Sequence, residues 1–98
     1  MVITTNRQTE NNTAMKSRLP SVPPKPGIYL FKDISSKFLY VGKAANLRTR
    51  LRSYFAKPYG LAPKIRRLMH QAVDFEFVVT DSESEALLLE NTLIKRHR

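Results

Sequence analysis

Glu90, Arg50 and the pair Tyr29 and Tyr40 have the types and settings in this chain that suit chemistry. Read as a helix at 100° per residue, the C-terminal segment spreads Leu89, Leu93, Ala86, Ile94 and Leu87 over one apolar arc of about 160°, and Glu90 falls inside it. A carboxylate on a buried face is costly unless it meets a cation, a hydrogen-bond donor or a metal. Two readings stay open: Glu90 pairs with one of the many arginines, or it ligates a metal at the floor of a cleft. A lone carboxylate leaves a metal most of its waters, which Mg²⁺ tolerates when phosphate supplies further oxygens. Arg48 and Arg52 lie one turn apart on the solvent side of an earlier helix, as phosphate-tracking cations would. Arg50 sits at the rim of that helix's apolar stripe, either as an ordinary rim arginine or as a guanidinium fork gripping a phosphoryl group. Tyr29 and Tyr40 are sheet aromatics, or a base whose acidity Lys43 and Arg50 would have to raise. His70 and His97 have no partner at metal spacing, and Gly27 and Gly42 do not make a phosphate-cradling loop.

The elements that must position these groups are legible. Gly27–Phe31 and Phe38–Gly42 read as short strands of a hairpin around the polar KDISSK. Setting Phe31 opposite Phe38 puts Tyr29 directly across from Tyr40. Both tyrosines then share one face, and Ile28, Leu30, Leu39 and Val41 the other. Asn46 caps a helix with the stripe Leu47, Leu51, Tyr54 and Phe55. A second helix starts at Pro63 and carries Ile65, Leu68 and Met69. Phe75–Thr80 is a third strand. Ser82 with Glu85 forms a capping box that opens the last helix. The order ββααβα predicts a small α/β (α+β) domain. Residues 1–18 lack periodicity and read as a disordered extension, followed by a proline-rich extended lead-in.

The 98 residues hold no cysteine, which excludes disulfides, thiolate catalysis and Cys-based zinc sites. No unbroken apolar run exceeds about four residues, as in Ala86–Leu89, far short of the roughly 18 residues of a membrane span. The polar N-terminus lacks the apolar core of a signal peptide, so a cytoplasmic protein is expected. Between Asp33 and Asp74 there is no acidic residue, and nine cations fall there: Lys37, Lys43, Arg48, Arg50, Arg52, Lys57, Lys64, Arg66 and Arg67. The remaining eight cations and eight anions cancel, so the whole net charge of +9 belongs to this segment. Such a one-sided field attracts polyanions, above all a nucleic-acid backbone.

Pro26-Gly27-Ile28-Tyr29-Leu30-Phe31-Lys32-Asp33, then Leu39-Tyr40-Val41-Gly42-Lys43-Ala44, resembles the two-part signature of the GIY-YIG nuclease family. Asn46–Phe55, and Phe77–Thr80 leading into Glu85–Lys95, narrow the likeness to its UvrC branch, the nuclease subunit of bacterial excision repair. The likeness covers residues 19–98. It implies a GIY-YIG fold, a three-stranded antiparallel sheet flanked by helices, and hydrolysis of a DNA phosphodiester on the 3′ side of a lesion in damaged duplex. It further implies catalytic roles for Tyr29, Tyr40, Lys43, Arg50 and Tyr54, and one Mg²⁺ or Mn²⁺ on Glu90. Tyr40, with Lys43 near, would be the base and Tyr29 its orienting partner. Arg48, Arg52, Lys57, Lys64, Arg66 and Arg67 would track the DNA backbone. Family members also carry an active-site asparagine past the position of Arg98 and meet a UvrB–DNA complex, so the resemblance implies that these residues are a fragment of a longer protein. The alternatives are a non-catalytic basic nucleic-acid-binding module and a stand-alone GIY-YIG endonuclease outside excision repair.

Overall fold

The computed structural model describes residues 7–55 and 62–96. Strands β1 (Gly27–Lys32), β2 (Phe38–Ala44) and β3 (Asp74–Val79) form one antiparallel sheet in the order β2-β1-β3. Helices α2 (Leu47–Ser53) and α3 (Pro63–Gln71) connect β2 to β3, α4 (Glu83–Arg96) follows β3, and α1 (Arg7–Ser17) precedes the sheet. The expected ββααβα order is present, with α1 added.

The hairpin register differs from the expected one. Asp33 organises a tight loop: its carboxylate accepts from the amides of Ser35 and Lys37, and its own amide donates to the Lys37 carbonyl at 2.9 Å. Ser36 takes the left-handed turn with φ 64°. Lys32 therefore pairs with Phe38 and Phe31 with Tyr40, which leaves Leu39 unopposed as a β-bulge. Tyr29 faces Gly42, not Tyr40. The bulge also sends Leu39 and Tyr40 to the same face, with Tyr29 and Phe31, so Leu39 departs from its expected place beside Ile28. Ile28, Leu30, Phe38 and Val41 hold the opposite face.

Each face has its own cover. Leu47, Leu51 and Tyr54 of the α2 stripe are buried with Tyr29, Phe31, Met69 and Phe75, and Phe55 packs against them. Burying a side chain such as Phe31 or Ile28 contributes about 1.5–3 kcal/mol. The cap is the one the sequence predicts: Asn46 accepts from the Thr49 amide at 3.1 Å. Pro63 opens α3, where its missing N–H has no partner to lose. On the other face α4 rests on β1 and β2 through Ala86, Leu89 and Leu93, and Ser82 Oγ accepts from the Glu85 amide. Leu87 and Ile94, expected in its buried arc, are both 42% exposed, because a three-stranded sheet covers only a narrow stripe of the helix. None of the helices among the described residues is long and apolar enough to cross a membrane.

From Arg7 the structure also differs from the expected disordered extension. Helix α1 is polar nearly throughout, yet Met15 is only 1% exposed and belongs to the core cluster. Arg18 fixes this segment to β3. It pairs with Asp74, donates to the Phe75 carbonyl at 3.1 Å, and lies 4.3 Å from the centroid of the Phe75 ring. Residues 1–6 lie outside the described residues.

Candidate active site

Three phenols gather on the α2 face. Tyr29 is carried by the central strand, Tyr40 by the edge strand and Tyr54 by the C-terminal end of α2. The Tyr29 and Tyr54 hydroxyls are 2.6 Å apart, and either can donate. The Tyr29 ring lies 6.1 Å from that of Tyr40 and 5.6 Å from that of Tyr54, and Tyr40 and Tyr54 are 6.5 Å apart. The register explains how the rings meet. A Cβ on Gly42 would lie 2.4 Å from Tyr29 Cζ and 2.5 Å from its hydroxyl, so the ring occupies the space a side chain would take. Gly27 serves similarly, since a Cβ there would lie 2.2 Å from the Val78 carbonyl oxygen. The roles of these two glycines escape sequence reasoning; only the pairing partner identifies them.

Burial, reinforced by the hydrogen bond to Tyr54, pushes the Tyr29 phenol far above its ordinary value, against a lesser opposing pull from Arg50. Burial raises Tyr54 as well. Both therefore stay protonated at neutral pH and serve as hydrogen-bond donors and acceptors. Tyr40 is half-buried, the most accessible of the three.

Arg50 is exposed, and its charge is felt at both buried phenols. It lines a cleft of about 270 Å³ with Ala44, Ala45, Asn46, Thr49 and Ser53. A guanidinium on the wall of such a cleft, its charge reaching the neighbouring phenols, suits an oxyanion of phosphate. Lys43, one residue beyond Gly42, leaves β2 on the opposite face by strand alternation, so it is not gathered with Tyr40.

Glu90 is half-buried on α4, across the sheet from the phenols. Because β2 is an edge strand, the two faces meet at its open side. Among the described residues no ion pair or hydrogen bond engages the Glu90 carboxylate, so the alternative of an arginine partner is not realised there. No group of three or more His, Cys, Asp or Glu forms among the described residues. An unpaired, partly desolvated carboxylate fits a hard cation that keeps several waters and takes its remaining oxygens from phosphate.

The basic residues divide. Arg52, Lys64, Arg66 and Arg67 are exposed. Arg48 is placed differently from the expected phosphate contact: its Nε donates to the Val22 carbonyl at 2.7 Å and its Nη2 to that of Pro20 at 3.4 Å. It ties the proline-rich lead-in to α2. Lys57 lies outside the described residues.

A family model described as the UvrC-like GIY-YIG domain matches residues 25–98. UvrABC system protein C of Parasynechococcus marenigrum (strain WH8102) is 50% identical over 84 residues, covering 86% of this chain and 13% of that protein. Its counterpart in Syntrophomonas wolfei is 52% identical over 84 residues, covering 86% of this chain and 14% of that protein. The chain thus spans about one-seventh of the length of these curated relatives. Among solved structures, the GIY-YIG N-terminal endonuclease domain of UvrC from Thermotoga maritima, bound to its catalytic divalent cation magnesium, has a TM-score of 0.77 at 35% identity. The match covers 87% of this chain and 91% of that one.

Proposed function

The chain belongs to the UvrC-like GIY-YIG domain family, and from that premise we propose that it is the metal-dependent endonuclease domain of a longer excision-repair protein. Its substrate would be damaged duplex DNA, presented with UvrB in the cell's cytoplasm and cut on the 3′ side of the lesion. The observation that carries this reading is Arg50 beside the hydrogen-bonded Tyr29–Tyr54 pair, opening onto a cleft in the most basic part of the chain.

Hydrolysis joins a water oxygen to phosphorus and breaks the bond to the 3′ oxygen of the preceding nucleotide. Arg50 balances the charge that gathers on the non-bridging oxygens as the pentavalent state forms. Tyr40, the accessible phenol, takes the proton of the attacking water at its hydroxyl oxygen as its own proton passes to solvent, and the departing 3′ oxygen takes a proton from water. Tyr29 and Tyr54, held neutral by burial, orient Tyr40 and that water. Glu90 would hold Mg²⁺ or Mn²⁺, and a bound divalent ion supplies Lewis-acid neutralisation of the phosphate and the departing oxygen. Three single Tyr-to-Phe variants of the Thermotoga domain are each bound to the catalytic divalent cation. This supports leaving metal binding to a carboxylate and giving the phenols the proton and orienting roles. Lys43, on the α4 face, is assigned to the phosphate approaching Glu90. Arg52, Lys64, Arg66 and Arg67 position the backbone without reading sequence.

The test is nicking of a lesion-bearing duplex by the chain extended past Arg98, with UvrB and with Mg²⁺ present or withheld. Arg50→Ala and Glu90→Gln should each abolish cutting and leave DNA retention nearly unchanged. Retention without any nicking by the extended chain would identify a binding module instead.

A further inference from the structure

The bulge at Leu39 has a spatial product. Leu39 and Tyr40, consecutive in sequence, both face α3, and between them and that helix runs a groove of about 250 Å³. Its floor is apolar, built from Leu39, Ile65 and Leu68, all left half-buried. Its rim carries the exposed cations Lys64 and Arg67, neighbours on one face of α3, and Gln71 follows Arg67 one turn on. The volume lies below the roughly 300–1,000 Å³ of sites for drug-sized ligands and suits one planar ring system.

We propose that this groove receives a single unpaired nucleobase of the DNA strand next to the cut. This rests on the nuclease reading above and adds to it a means of preferring opened DNA. An aromatic face and an apolar floor take a base by stacking, cations three residues apart take the phosphate beside it, and an amide can bond a base edge. The positive rim, in a segment with no acidic residue from Ile34 to Val73, complements a polyanion and not an acidic or neutral floor-seeker. A base in an intact duplex is stacked and paired and cannot enter without being extruded, whereas an unpaired base enters at far lower cost. Tyr40 lines both the groove and the phenol cluster, so an occupied groove places the adjoining phosphate at the phenols.

The experiment compares two duplexes, one fully paired and one with a single unpaired 2-aminopurine, by fluorescence anisotropy and by 2-aminopurine emission. The wild-type chain should bind the unpaired site at least about fivefold more tightly, the lower end of what one stacked base contributes, and should quench its emission. Ile65→Lys fills the groove and adds a cation, so affinity for the paired duplex should hold or rise while the preference and the quenching disappear. Gln71→Glu, at an exposed position that leaves the core intact, should lower the preference by repelling the phosphate, even where Ile65→Lys does not fold. No preference in the wild type, or an undiminished preference in Gln71→Glu, overturns the proposal. The nuclease reading is judged separately: an extended chain that retains DNA and never nicks it sinks that reading while leaving the binding preference to stand on its own, and a Glu90→Gln variant that still cuts sinks only the metal role of Glu90.

Discussion

Gly42→Ala adds one methyl group at the place where the central tyrosine lies across the edge strand. Its Cβ would fall 2.4 Å from Tyr29 Cζ, while ordinary contact needs about 1 Å more. No glycine among the described residues has positive φ, so backbone strain does not enter and the cost is one of contact alone. The ring cannot swing freely, for Tyr29 is 2% exposed and ringed by Phe31, Tyr40 and Tyr54. A shift of about 1 Å would stretch its 2.6 Å hydrogen bond to Tyr54 beyond bonding range. Overpacking costs about 1–3 kcal/mol and the lost buried hydrogen bond about 1 kcal/mol, about 2–4 kcal/mol together. In a domain this size that lowers Tm by at least about 8 °C. Thermal and urea unfolding should show it, and nicking should fall in parallel as the phenols lose register. The decisive control is a double-mutant cycle: in a Tyr29→Val background, where no ring occupies the space, Gly42→Ala should cost almost nothing. A neutral Gly42→Ala, or an equal cost in both backgrounds, would refute the reasoning.

Other expectations follow from the same geometry. Burial raises the Tyr29 and Tyr54 phenols in the folded state, so the unfolded chain releases these protons first as pH rises. Their stabilisation is complete below about pH 10 and is lost above it, at about 1.4 kcal/mol per pH unit for each group. Urea titrations should show Tyr29→Phe with a shallower alkaline loss than wild type. Arg48→Ala should lower stability by about 1–3 kcal/mol by freeing the Val22 and Pro20 carbonyls, yet change duplex affinity less than Arg52→Ala, as unfolding and anisotropy would measure. Met15→Ala should cost about 2–5 kcal/mol in urea unfolding, because Met15 joins α1 to the core.

Local signals carried much of this fold. The Asn46 and Ser82 caps, Pro63 at the start of α3 and the Leu47–Leu51–Tyr54 stripe each lie where side-chain chemistry acts on its own neighbours. What escaped depends on longer reach. The register shifted because Asp33 folds a tight loop and leaves Leu39 over, a choice among near-equal hairpins that alternation alone does not make. Helix α1 escaped because a single methionine anchors an otherwise polar segment. The carbonyl partners of Arg48 escaped because Val22 and Pro20, its neighbours in space, are remote in sequence. The site was legible as a set of residue types. The division of Tyr40 and Lys43 between the two sheet faces follows from strand alternation, but which helix covers which face required the tertiary structure.

The unopposed Leu39 also sets rules for changing the chain's length. Lengthening the Asp33–Lys37 tip leaves everything past Phe38 in phase, so that tip is the natural place to splice in a tag. Deleting Leu39 alone removes the extra step and leaves Phe38 followed directly by Tyr40, which already face opposite sides, so both keep their places and only the Leu39 side chain is lost from the α3 face. The spacing between the two signature tyrosines is thus a matter of parity as much as of distance, tolerant of growth at the tip and of loss of the one extra residue, and intolerant of a deletion within the regular ladder, such as that of Leu30.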